Sequence, residues 1–91
     1  MSRNSDNASR TAMLPRGVAL HARPAGMFVM EAHRFRSTIF VAANGRQANA
    51  KSILEVLSLG ATAGTELCLT ASGEDADEAV ANLARLLDAL G

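Results

Sequence analysis

Ser37-Thr38-Ile39-Phe40-Val41-Ala42-Ala43-Asn44-Gly45-Arg46-Gln47-Ala48-Asn49-Ala50 holds both arms of a β-hairpin and the signal that joins them. Residues 37 to 42 alternate and are rich in β-branched side chains and Phe, so Ile39 and Val41 face one way and Thr38 and Phe40 the other. Asn44-Gly45 is a strong hairpin-turn pair, because both residues tolerate the positive φ that a two-residue turn requires, so residues 46 to 50 are expected to return antiparallel. Upstream, Ala25, Phe28, Val29 and Ala32 recur at helical spacing within a helix from Ala22 to about His33. His33 and Arg34 close that helix with positive charge near its negative end. Before it lies a weak strand, Arg10 to Leu14, with Ala12 and Leu14 on one face.

Downstream, Ser52 to about Leu57 reads as a short helix, and the Gly60-Ala61-Thr62-Ala63-Gly64 loop leads into a strand from Thr65 to Ala71. Asp75 and Glu78 form a capping-box pattern ahead of a long helix whose Val80, Leu83, Leu87 and Leu90 face the sheet. The order is βαββαβα. A hairpin set among helices in this way gives an α+β fold, an antiparallel sheet with its helices on one face. Met1 to Ser9 is polar, rich in Asn and Ser and without periodicity, and is read as a disordered N-terminal tail ahead of a single domain at 10–91.

Composition removes several function classes. Nine Lys and Arg balance nine Asp and Glu, and the three Phe are the only aromatic residues other than two His, which argues against a nucleic-acid binder that works through a basic face and stacking. No apolar run reaches membrane-spanning length and the N-terminus lacks a signal-peptide core, so the cytoplasm is the expected compartment. Cys68 is the single cysteine, which excludes an internal disulfide, and within Leu67-Cys68-Leu69 it reads as a buried small hydrophobe. Two histidines about three turns apart on one helix, with no cysteine pair, do not make a metal site. Nor does any nucleophile elbow mark a Ser-His-Asp hydrolase.

The chemistry concentrates at Leu20-His21-Ala22-Arg23-Pro24-Ala25. A helix beginning near Ala22 leaves its first N–H groups without intrahelical partners and gathers partial positive charge there. His21 then stands at the cap beside an anion site. A phosphoryl group on its imidazole would accept hydrogen bonds from the amides of Ala22 and Arg23, while the Arg23 guanidinium adds a planar donor fork and a fixed charge. Pro24 loses nothing in a first turn whose N–H groups are unpaired anyway. The alternative is a histidine that merely caps a helix.

That motif, followed by Lys51-Ser52-Ile53-Leu54 and Ser58-Leu59-Gly60, resembles HPr, the family of histidine phosphocarriers of the bacterial phosphoenolpyruvate-dependent sugar phosphotransferase system. The resemblance runs from about Arg10 to Leu90. It implies an open-faced β-sandwich with four strands in the order 1-4-2-3 and three helices on one face. It implies a phosphoryl relay that is not itself an enzyme, charged by Enzyme I and discharged to sugar-specific EIIA domains, with the group carried on the imidazole Nδ1. No cofactor is implied on the carrier, since Mg²⁺ belongs to the donor enzyme. Where the family usually has a small polar residue and Gly before the Leu-His pair, this chain has Val18 and Ala19, with Gly17 one place earlier.

By position Ser52 matches the serine that, in many relatives, an HPr kinase phosphorylates to regulate sugar use. A phosphate at a helix N-terminus is compatible with the helix dipole. Ser52-Ile53-Leu54-Glu55 is equally a capping box with no signalling role, and a Glu55 carboxylate would repel a phosphoserine. Ile53, Leu54 and Leu57 cannot all point inward on so short a helix; they are either core or, with Met27 and more weakly Met30, an exposed patch for docking partners. Two other functions remain in view: a regulatory paralogue of the nitrogen-related branch, and a binding module that shares the fold without relaying phosphate. A carrier that presents one face to successive partners is most simply a monomer.

Overall fold

The computed structural model describes residues 6–90. Its elements are β1 (Asn7–Met13), α1 (Ala22–Ala32), β2 (Thr38–Ala43), β3 (Arg46–Asn49), α2 (Ile53–Ser58), β4 (Glu66–Ser72) and α3 (Ala76–Ala89). The strands form one sheet in the order β1-β4-β2-β3, with every neighbouring pair antiparallel. This is the α+β open-faced sandwich, in the strand order the family resemblance implies.

Alternation decides which face is covered. Leu67, Leu69 and Ala71 of β4 and Ile39, Val41 and Ala43 of β2 are buried, while their neighbours Cys68, Thr70 and Ser72 are exposed. On the covered side α3 packs over β1 and β4, α2 over β3, and α1 against both other helices. Phe28, Val56, Leu83 and Leu87 fill the space between the layers. Each such side chain contributes about 1.5–3 kcal/mol of transfer free energy. The hairpin forms as its sequence dictates: Asn44 and Gly45 take φ of 53° and 76°, and Ala43 opposes Arg46 across the turn.

Four expectations are corrected. The boundary of the disordered tail at Ser9 fails, because Asn7, Ala8 and Ser9 pair with Ser72, Ala71 and Thr70 in β1. These residues carry little strand preference of their own; the open backbone edge of β4 recruits them, and only Ala8 packs against the core. The rest of the expected tail, Met1 to Ser5, lies outside the described residues. Cys68 is exposed, since a strand that turns Leu67 and Leu69 inward must turn the residue between them out.

Asp75 stands at the N-cap of α3 but makes no side-chain cap bond. Its carboxylate accepts instead from the backbone N–H groups of Arg36 (2.9 Å) and Ser37 (3.0 Å) and from the Ser37 hydroxyl. These bonds, with Ser37 Oγ foremost, hold its carboxyl below the usual carboxylate range. At α2 the capping box is half made. Ser52 Oγ accepts from the Glu55 N–H (3.3 Å), but Glu55 Oε1 accepts from the Asn49 N–H (2.8 Å) rather than from Ser52.

Candidate functional site

His21 is the N-cap of α1, in extended backbone, and its ring makes no cap hydrogen bond. The residue before it is firmly held: Leu20 is buried, and its N–H donates to the Ala61 carbonyl at 2.9 Å. His21 itself is exposed. Its N–H donates to the Ala19 carbonyl and its own carbonyl accepts from the Ala25 N–H, both at 2.9 Å. With Pro24 lacking an N–H, the first turn is left with the amides of Ala22 and Arg23, neither of which has an acceptor among the described residues. No acidic residue occupies that turn. The Arg23 side chain is exposed and, among the described residues, joins no hydrogen bond or ion pair. Two free amides, a free guanidinium and a solvent-facing imidazole therefore meet at one helix start, an arrangement suited to an anion attached to the ring.

The site lies in an open cleft that His21 and Arg23 line together with Val18, Ala19, Pro24 and Met27, and with Ala89 and Leu90 at the end of α3. Ala19 raises no backbone difficulty. Asn44 is the only non-glycine residue with positive φ among those described, and near the site the left-handed position falls on Gly17 (φ 81°). Gly17 sits in a turn closed by the Val18 N–H on the Pro15 carbonyl, 3.1 Å away. The departure from the usual motif thus shifts the glycine and leaves the histidine cap extended.

Ser52 is the N-cap of α2. Next to it Lys51 is fully engaged: its Nζ donates to the Phe35 carbonyl (2.7 Å), its N–H to Asn49 Oδ1 (2.9 Å), and its carbonyl accepts from His33 Nε2–H (3.0 Å). His33 is the C-cap residue of α1, and Arg34 beside it is paired with Glu31 at 2.9 Å. Because Leu20 joins Ala61 at one end while His33 joins Lys51 at the other, α1 and α2 run antiparallel. The structure therefore does not bring His21 and Ser52 together. They stand at opposite ends of α1, about 16 Å apart along an axis of eleven residues.

Of the apolar residues, Met27, Met30, Ile53 and Leu54 are exposed, Leu54 by 77%. Leu57 instead packs against the core, and the inward position of α2 is taken by Val56. The sequence reading missed the part played by Ala89 and Leu90, which reach the His21 cleft from the far end of the chain; no local pattern announces that contact. Among the described residues no cluster of His, Cys, Asp and Glu could hold a metal ion, and no helix is long and apolar enough to cross a membrane.

Comparison with known proteins places these observations. The family model described as "PTS HPr component phosphorylation site" matches residues 8–89. The chain is 51% identical over 65 residues to the HPr-like protein Crh of Bacillus subtilis, covering 71% of this chain and 76% of that one. It is 42% identical over 73 residues to the phosphocarrier protein HPr of Mycoplasma capricolum, covering 80% and 82%. The crystal structure of HPr-C-His from Thermoanaerobacter tengcongensis superposes with a TM-score of 0.85 at 38% identity, over 90% of this chain and 92% of that chain.

Proposed function

This chain belongs to the HPr family of phosphotransferase-system phosphocarriers, and we propose that His21 is the residue that carries its phosphoryl group, with Arg23 and the amide of Ala22 stabilising it. The observation that carries this reading is the exposed His21 ring at a helix start whose two amides and neighbouring guanidinium have no other partner.

In the proposed relay the donor is phosphorylated Enzyme I and the acceptors are EIIA domains. A neutral imidazole nitrogen of His21, Nδ1 as the family resemblance implies, attacks the phosphorus in line. The new N–P bond forms as the donor's N–P bond breaks, and charge collects on the three equatorial oxygens. The first-turn N–H groups of Ala22 and Arg23 and the Arg23 guanidinium are aimed at that charge. One cation and two amides hold the group without burying it, which suits a carrier that must surrender it to the next protein. Met27, Ile53 and Leu54 form the proposed docking surface, with Leu57 supporting it from beneath. Ser52 is the proposed regulatory site for an HPr kinase, one helix length from His21. A phosphate there would act on docking at the α2 end rather than on the imidazole.

The test is intact mass after incubation with phosphoenolpyruvate, Mg²⁺ and a bacterial Enzyme I, repeated after brief acid treatment and with His21→Ala. One acid-labile phosphoryl group, absent from the variant, is expected. A second reading is favoured by the 51% identity to a relative described as HPr-like rather than as a phosphocarrier: a binding module that shares the fold, in which docking, not relay, is the output. Failure of both a general Enzyme I and a dedicated paralogue to label His21 would select it.

A further inference from the structure

The face of the sheet turned away from the helices carries almost no charge. The strands hold three charged residues, Arg10, Arg46 and Glu66. Arg10 opposes Leu69 and Arg46 opposes Ala43, both buried, so alternation assigns these two to the covered side. Glu66 alone belongs to the open side, at the end of β4 opposite Met13. The middle of that side is built from two rungs, Ser9-Thr70-Phe40 and Thr11-Cys68-Ala42, neutral throughout and small except for Phe40. Each helix, by contrast, carries charge: Arg23 and Glu31 on α1, Glu55 on α2, Arg85 and Asp88 on α3. Interspersed charge is what ordinarily keeps a protein surface solvated and single, and the open face lacks it. Phe40, half-buried, borders a groove of about 340 Å³ that Ser9, Thr38, Thr70 and Ser72 also line.

We propose that this face is the interface of a weak, reversible homodimer, in which two sheets pack back to back about a two-fold axis and the helices of both copies face outward. An axis near Thr70 sets Phe40 of each copy against the groove of the other, an isologous contact. An uncharged centre then meets an uncharged centre, so no charge is buried without a partner, while Glu66 stays at the rim, four residues along β4 from Thr70. A partner with an ordinary charged surface would give up the hydration of its charges here and gain no counter-charge, whereas a second copy matches. Stacked sheets stand about 10 Å apart with interdigitating side chains, a spacing that Ser, Thr, Ala and Cys permit.

Area sets the strength. With strands of 7, 6, 4 and 7 residues, at about 3.3 Å per residue and about 4.8 Å between strands, the sheet covers roughly 380 Å². Two such faces with their side-chain relief bury on the order of 1,000 Å², the low end for a specific interface, so the dimer forms and parts with concentration. Met27 and Leu54 lie on helices of the covered side and stay exposed in both copies. The inference is independent of the role proposed for His21.

The test is sedimentation equilibrium of the intact protein from micromolar to millimolar concentration, under reducing conditions so that no Cys68 disulfide contributes, with Ser9→Lys and Thr70→Glu alongside. The average mass of the wild type is expected to rise toward that of a dimer, and either introduced charge, buried without a partner, to weaken association by roughly tenfold or more. Ser9 is on the edge strand β1, so its variant keeps the test decisive if Thr70→Glu disturbs the central strand. Amide NMR shifts on dilution locate the contact: Thr11, Phe40, Cys68 and Thr70 are expected to move while Met27 and Leu54 stay. A monomer across the whole range, a dimer of equal strength in both variants, or shifts confined to the helices each overturns the proposal.

Discussion

Ser37 and Asp75 are joined twice: the Ser37 N–H and its hydroxyl both donate to the same carboxylate oxygen of Asp75. Ser37 is the only buried polar residue among those described. The pair ties the connection between α1 and β2 to the head of α3, so a side chain positioned to cap its own helix instead satisfies a buried group from elsewhere in the chain.

The tie makes stability depend on acid. The Asp75 carboxyl is held below its ordinary value in the folded state, chiefly by the Ser37 hydroxyl. Its contribution is complete above the unfolded-state pKa, about 3.9, and is lost as pH falls through the lower folded value. Asp75→Asn is therefore expected to lower the urea midpoint at neutral pH and to flatten the decline of stability below about pH 4. Wild type and variant should converge at the acid end. Midpoints that stay parallel down to the acid limit would remove Asp75 from the account.

Gly73 gives a second test of the same corner. Its φ is 145°, and a Cβ there would stand 2.9 Å from Ser37 Cα and 2.6 Å from Ser37 Oγ. Backbone strain and overlap act together, so Gly73→Ala is expected to cost about 2–4 kcal/mol in equilibrium unfolding. Gly45→Ala, at a φ of 76° in the left-handed region and with open space around it, should cost less because the strain is smaller and no overlap is added.

Most of this architecture was legible because β2 and β4 alternate between buried apolar and more exposed residues and the buried stripe of the first helix has helical spacing: Ala25, Phe28, Val29 and Ala32 are the buried residues of α1. The hairpin was legible from Asn44-Gly45, where local chemistry and global fold agree. What sequence reading missed is set by tertiary contact. Asn7 to Ser9 are strand because β4 offers an edge, and Asp75 leaves its cap because Ser37 is buried beside it. Leu90 reaches the His21 cleft because α3 crosses β1 and β4. Cys68 was a different kind of error. Its apolar neighbours suggested a continuous buried run, whereas alternation in an open-faced sheet requires the middle residue to face out. At the candidate site, the residue types and spacing pointed to the helix start at His21 and Arg23, but not to the placement of Ser52's short helix, which begins at the opposite end of α1.

Ser52 separates cap from signal. Its hydroxyl accepts the Glu55 N–H, so Ser52→Ala is expected to lose about 1 kcal/mol of stability while Ser52→Asp, another good cap, retains most of it. If an HPr kinase acts here, Ser52→Ala also abolishes ATP-dependent labelling and leaves phosphoenolpyruvate-dependent labelling of His21 intact. Persistent ATP-dependent labelling in Ser52→Ala protein would sink the regulatory assignment without touching the cap.

His21 presents the reverse case, a residue at a cap position whose side chain does not cap. The ring makes no hydrogen bond to the helix and is exposed, so His21→Ala should shift unfolding free energy by no more than about 0.5 kcal/mol, the ordinary range for a surface substitution. Acid-labile phosphorylation should vanish in the same protein. Arg23→Ala keeps the nucleophile and removes the free guanidinium, and is expected to slow transfer from phosphorylated Enzyme I by roughly ten- to a hundredfold. Arg23→Lys should recover part of that loss, because it restores the charge but not the planar fork. A His21→Ala protein that is strongly destabilised would show that the ring serves the fold, and one that still accepts acid-labile phosphate would move the acceptor elsewhere in the chain.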